Sequence, residues 1–268
     1  MDILGIMKKT INGIPAVEGP IPVTDTSYPF CSMKHSRIPL DLEQYGYAEE
    51  EYFLSGYANI YDVTADDCLT IVKENVPYKN RILVRYPRDK KKASGRVYVD
   101  ILNATQGYDI EDLWHRISSW CLENGHVYVG ITSKPVSVMS LKNFDYQRYK
   151  ELNWSNGEMV PMPTIAKSAT IPGTEEGLFW DMLSQIGMLL RTEKGRECIG
   201  NIPAEYIYLC GQSQSGAYLN TYVSYFDSCI KKCCDQPVYN GYFNIAGALV
   251  QRSVRQQNTV GDLKLLPR

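Results

Sequence analysis

The stretch Tyr206-Ile207-Tyr208-Leu209-Cys210-Gly211-Gln212-Ser213-Gln214-Ser215-Gly216-Ala217 decides the fold. Its first five residues are aromatic, branched or small and apolar, the pattern of a short strand. Gly216 and Ala217 open a segment that reads as a helix to residue 230. Between the two, Ser213 has Gly211 two residues before it and Ser215 two residues after it. A tight strand-to-helix turn needs small residues at those places, because strand and helix pass close together there. A serine at the apex is exposed. It becomes a nucleophile when a base and oxyanion donors lie beside it. The spacing also suits a plain Gly/Ser turn or an anion-binding helix start; the flanking strand and helix favour the catalytic turn. Ser215, flanked by Ser213 and Ala217, is the rival nucleophile, and a weaker one, since glycine before the serine suits a strained turn best.

With Ser213 as nucleophile, the N–H of Gln214 is the first expected oxyanion donor. The second is expected from the loop after the strand 96–102, at Asn103 or Ala104, each donor being worth about 3 kcal/mol. Asn103 also reads simply as a turn residue at the strand end. Further strands are expected at 51–63, 81–86, 127–132 and 241–246. In 81–86 the alternation puts Ile82, Val84 and Tyr86 on one face and Arg81 and Arg85 on the other. Helices are expected at 110–121, through Ile110, Leu113, Trp114, Ile117 and Cys121, and from a Thr174 N-cap to about 191, through Leu178, Met182, Ile186 and Leu189. Strands alternating with helices predict an α/β fold with a mostly parallel sheet covered on both faces. The whole of 1–268 reads as one domain, with 1–50 an irregular lead-in and 135–172 an insertion or lid.

An apolar share of 44% with 22% charged residues fits a globular core. A net charge of -2 provides no basic face for nucleic acid or an anionic membrane. No apolar run suits a signal peptide or a membrane span, so a cytoplasmic location is expected. The eight cysteines lack framework spacing and read as free thiols. Cys229, Cys233 and Cys234 cluster without a fourth ligand nearby, so no metal is expected, and the chemistry requires no cofactor.

The sequence resembles the α/β-hydrolase superfamily, and within it the α/β hydrolase domain family whose elbow reads Gly-Glu-Ser-Gln-Ser, here Gly211-Gln212-Ser213-Gln214-Ser215. The likeness extends through Gly19-Pro20-Ile21-Pro22-Val23-Thr24, Arg37-Ile38-Pro39-Leu40-Asp41-Leu42, Tyr45-Gly46-Tyr47, Asp100-Ile101-Leu102-Asn103 and Gly125-His126-Val127-Tyr128-Val129-Gly130. The resemblance implies a serine hydrolase acting on small carboxylic esters or related acyl compounds. It also implies the order nucleophile, acid, histidine along the chain.

Two departures stand out. Gln212 replaces the glutamate, and after Ser213 come only the acids Asp227, Asp235 and Asp262, with no histidine. His35 lies in the lead-in, from which it could fold over the site as a base, His115 on a helix, and His126 at the start of a strand, opposite the catalytic edge. Two expectations follow. In one, a serine hydrolase takes its acid and histidine from a missing segment or a partner chain. In the other, the chain is a non-catalytic remnant that acts as a binding or interaction module, with a partner or a second copy at the open sheet edge of 241–246.

Overall fold

The computed structural model describes residues 2–155, 157, 159–160, 171–234, 236–255 and 263–265. In chain order the helices are α1 (Ile3–Ile11), α2 (Asp112–Asn124), α3 (Pro135–Phe144), α4 (Tyr146–Tyr149), α5 (Phe179–Leu189), α6 (Glu193–Cys198), α7 (Gln214–Thr221) and α8 (Ser228–Cys233). The strands are β1 (Ala16–Glu18), β2 (Tyr47–Val63), β3 (Leu69–Pro87), β4 (Arg96–Ile101), β5 (Val127–Ile131), β6 (Tyr206–Gln212), β7 (Gly241–Ile245), β8 (Val250–Arg252) and β9 (Leu263–Leu265). The first seven strands form one sheet in the order β1-β2-β3-β5-β4-β6-β7. Pairing is antiparallel from β1 through β3 to β5 and parallel across β5, β4, β6 and β7. Strands β2, β4, β5, β6 and β7 therefore point the same way, with β1 and β3 against them.

Strand periodicity divides the core in two. Val97, Val99, Val127, Val129, Ile207 and Leu209 face a large cluster that takes in Met139 of α3, Trp180 of α5 and Leu219 of α7. Tyr98, Tyr128 and Cys210, one residue out of phase, face Leu113, Trp114 and Cys121 of α2. Alternate side chains of one strand point to opposite faces, so each strand serves both layers.

The helices depart from the sequence pattern in ways that have local causes. Helix α2 starts at Asp112, because the N–H and carbonyl of Ile110 are both paired with Asn103. Thr174 caps nothing: its hydroxyl donates to the Ile171 carbonyl at 2.6 Å, and a 3₁₀ turn at Glu176–Leu178 leads into α5. Leu178, Met182, Ile186 and Leu189 are all buried, as their spacing predicts. The helix expected from 216 begins at Gln214 and passes through a π-helical turn at Tyr222–Asp227 before α8. Within 135–172, α3 packs Val136, Val138, Met139 and Leu141 into the main core; residues 156, 158 and 161–170 lie outside the described ones. Helix α1, which the sequence reading did not separate from the lead-in, is capped by the Asp2 side chain and buries Met7 and Ile11.

Arg81 and Arg85, on the second face of β3, are fully buried. Arg81 is paired with Glu51 and, at 3.1 Å, with Asp109, while Arg148 reaches the other Glu51 oxygen at 2.6 Å. Arg85 meets both oxygens of Glu111, at 2.6 and 2.9 Å, and Glu49 at 2.8 Å. Arg81 also donates to the Phe30 carbonyl and Arg85 to that of Cys31, and Arg148 donates to Pro22. These buried ions thereby fasten the lead-in to the sheet.

Candidate active site

Strand β6 ends at Gln212 and α7 starts at Gln214, which leaves Ser213 alone to turn the chain. Its backbone sits at φ 53° and ψ -114°. A side-chain-bearing residue in such a region costs about 1–3 kcal/mol and persists only where the surroundings impose it. The surroundings are visible. The Ser213 N–H donates to the Ile245 carbonyl of β7 at 2.8 Å, and the Ser213 carbonyl accepts from Ala217 at 3.1 Å. A Cβ at Gly211 would lie 2.3 Å from the Ser215 carbonyl oxygen. One at Gly216 would lie 2.6 Å from both Asn244 Oδ1 and the Gly247 Cα. The close approach inferred for these small residues is thus a contact in the structure.

Ser213 is exposed at the apex, whereas Ser215 is buried at 1% exposure, which removes the rival from solvent. Among the described residues Ser213 Oγ has no hydrogen-bond partner.

The loop after β4 reaches the elbow, and its two expected donors part company. Asn103 is committed elsewhere: its N–H donates to Ile110 at 3.0 Å, and its Nδ2 donates to the Gln212 carbonyl at 3.1 Å. Its Oδ1 accepts from the Thr105 N–H and hydroxyl at 2.8 and 2.6 Å. Asn103 clamps the loop to the elbow. The N–H of Ala104, next along, donates to Oε1 of the Gln214 side chain at 3.2 Å. Sequence reasoning used only the backbone of Gln214 and missed this contact, since nothing in the spacing tells where a glutamine side chain curls.

The histidines lie elsewhere. His126 immediately precedes β5, and in the parallel register that start lies level with the beginnings of β4 and β6, while Ser213 follows the end of β6. Its Nδ1 is 2.6 Å from Ser94 Oγ, and burial, then the Arg96 charge, lowers its pKa. His35 stacks on Tyr28 at 3.7 Å, and with His115 it lines a cleft of about 670 Å³ walled by Phe30, Tyr108 and Trp114. Ser213 is not part of that lining. Behind α7, buried Lys134 pairs with Glu176 at 3.3 Å, and Tyr218 donates to the same carboxylate at 3.4 Å. Burial lowers the Lys134 pKa, and the Glu176 charge opposes that shift. Asp227 is held by Tyr242 at 2.6 Å and Lys231 at 2.6 Å; Asp235 and Asp262 lie outside the described residues. Among the described residues no three His, Cys, Asp or Glu side chains are placed to share a metal ion.

Residues 17–265 match the family model described as alpha/beta hydrolase domain. The chain belongs to the alpha/beta hydrolase domain family. Among solved structures, this alpha/beta hydrolase domain is similar to a carboxylesterase from Lactobacillus plantarum, at 10% identity and TM-score 0.35, over 62% of this chain and 50% of that one. It is also similar to the rice cell wall degrading esterase LipA from Xanthomonas oryzae, at 12% identity and TM-score 0.35, over 73% of this chain and 41% of that one. The alpha/beta hydrolase domain thus spans about half or less of the length of either structure. No curated protein matches it in sequence. Among its described residues no helix is long and apolar enough to cross a membrane.

Proposed function

We propose that this chain is a serine hydrolase domain acting on small carboxylic esters or related acyl compounds, with Ser213 as nucleophile. The observation that carries this reading is the backbone of Ser213, an exposed serine held at φ 53° and ψ -114° between a strand and a helix. Strained backbone of this kind concentrates at functional sites, and here it carries an exposed hydroxyl at the apex of a strand-to-helix turn. Gly211, Ser215 and Gly216 form the elbow, and the N–H groups of Gln214 and Ala104 are the oxyanion donors.

In the reaction, the Ser213 Oγ–acyl carbon bond forms as the hydroxyl proton passes to a base. Carbonyl electrons move onto oxygen between the two N–H groups. Their return breaks the bond to the leaving alkoxide, which takes the proton from the base; water repeats the sequence to free the acid. No described side chain is hydrogen-bonded to Ser213 Oγ as its base. A second copy of this chain, paired along β7, the edge strand whose Ile245 already holds Ser213, would bring it, so the purified chain carries the whole site.

The competing reading, a non-catalytic scaffold that acts as a binding or interaction module, is favoured by one observation: Ser213 Oγ has no partner among the described residues. Hydrolysis of p-nitrophenyl butyrate decides between them. Nitrophenol release that disappears in Ser213→Ala supports the hydrolase. Equal rates in the two proteins contradict it.

A further inference from the structure

We infer that the Gln214 side chain occupies the oxyanion site in the resting protein, standing in for the substrate carbonyl, and that a substrate must displace it. The inference rests on Ser213 being the nucleophile. Gln214 follows Ser213 at the start of α7, and its side-chain carbonyl oxygen accepts the Ala104 N–H at 3.2 Å. A carboxamide oxygen and an ester carbonyl oxygen are the same kind of acceptor, so Oε1 takes the hydrogen bond that the substrate oxygen needs.

The physical reason for such an arrangement is the burial of Ala104, which has no exposed surface. A buried N–H left without a partner is costly, because it has given up its hydrogen bond to water and gained none. Gln214 removes that cost while the site is empty. The loop is not the part that moves. Asn103 ties it to Gln212 through Nδ2 and to Ile110 through both backbone groups, and Thr105 is tied to Asn103 Oδ1. The bond that gives way is the one from the Ala104 N–H to Gln214 Oε1, which at 3.2 Å lies at the long end of the N–H···O range. Gln214 is in this view a positioning residue. It keeps the oxyanion site formed and dry, and it sets a threshold that an acyl compound must exceed with a better acceptor, the oxyanion itself.

Two measurements on the full chain test this. The first is the rate of adduct formation with a fluorophosphonate, in which the Ser213 Oγ–P bond forms as the P–F bond breaks and the proton leaves with fluoride. The second is hydrogen–deuterium exchange at the Ala104 amide, which does not depend on activity. Removing the plug in Gln214→Ala, or in Gln214→Met, which keeps the length without an acceptor, speeds Ala104 exchange. It also accelerates adduct formation about 2- to 10-fold, the worth of one net hydrogen bond. Gln214→Glu keeps the shape and puts a negative charge where the oxyanion forms. Its rate relative to wild type falls above the carboxyl pKa of about 4.3 and recovers below it. Unchanged Ala104 exchange in both Gln214→Ala and Gln214→Met, or slower adduct formation in both, overturns the plug and leaves Ser213 untouched. No Ser213-dependent adduct in wild type or either variant overturns the serine reading, and the plug with it.

Discussion

Gly211 and Ser215 sit so close across the elbow that a methyl group on Gly211 would lie 2.3 Å from the Ser215 carbonyl oxygen. The obstructing atom is backbone, so no side-chain rotation relieves it. Gly211→Ala therefore pushes α7 off β6, with an expected loss of about 1–3 kcal/mol. Urea unfolding measures that loss. Adduct formation at Ser213 should fall with it, because the turn that presents the hydroxyl is distorted.

Replacing the serine has the opposite sign for stability. Ser213→Gly releases backbone strain of about 1–3 kcal/mol while adding about 0.5–1 kcal/mol of unfolded-chain entropy. Ser213→Ala removes the hydroxyl and keeps the strain. The glycine variant should accordingly be more stable than the alanine variant by about 1 kcal/mol, as read from their urea midpoints, with both inert.

Glu51 is the shared anion of Arg81 and Arg148, and all three are buried. Glu51→Ala strands two guanidinium groups away from water, and the expected loss is about 3–5 kcal/mol. Glu18, itself exposed and one of two carboxylates on Lys79, is the comparison: Glu18→Ala leaves Glu151 on Lys79 and should cost less than about 1 kcal/mol. Similar losses in the two variants would mean that the buried network does not fasten the lead-in.

Two carboxyls make stability fall as pH rises. Burial pushes Asp100 up to about 8 and Asp181 up to about 7, even though Tyr128 donates to Asp100 at 2.8 Å. Each binds its proton more tightly folded than unfolded. The stability this gives is complete below about pH 4, where both states are protonated, and is lost as pH rises through the folded values. Asp100→Asn keeps an acceptor for Tyr128 and removes one titration. Its urea midpoint should decline less than the wild-type midpoint between about pH 5 and 9. Parallel declines would contradict the raised Asp100 value.

The strand-to-helix turn at Ser213 is legible in the sequence because its requirements are local: small residues at fixed offsets, a strand before and a helix after. The stripes of α2 and α5 were legible for the same reason. Partners distant along the chain were not. Period-2 alternation put Arg81 and Arg85 on the second face of β3, yet it could not say that Glu51, Glu49, Asp109 and Glu111 wait there. Nor could spacing show that Asn103 would spend its N–H on Ile110, leaving Ala104 to face Gln214. The start of α2 shifted because a pairing between Asn103 and Ile110 overrode a good helical stripe.

The most direct test of Ser213 as an activated nucleophile is intact-mass analysis of the chain after fluorophosphonate treatment, with peptide mapping and Ser213→Ala as control. A single adduct mapped to Ser213 and absent from Ser213→Ala is the expected result. A folded chain that takes no adduct, or takes it equally in Ser213→Ala, would contradict it and leave the strained turn as architecture without chemistry.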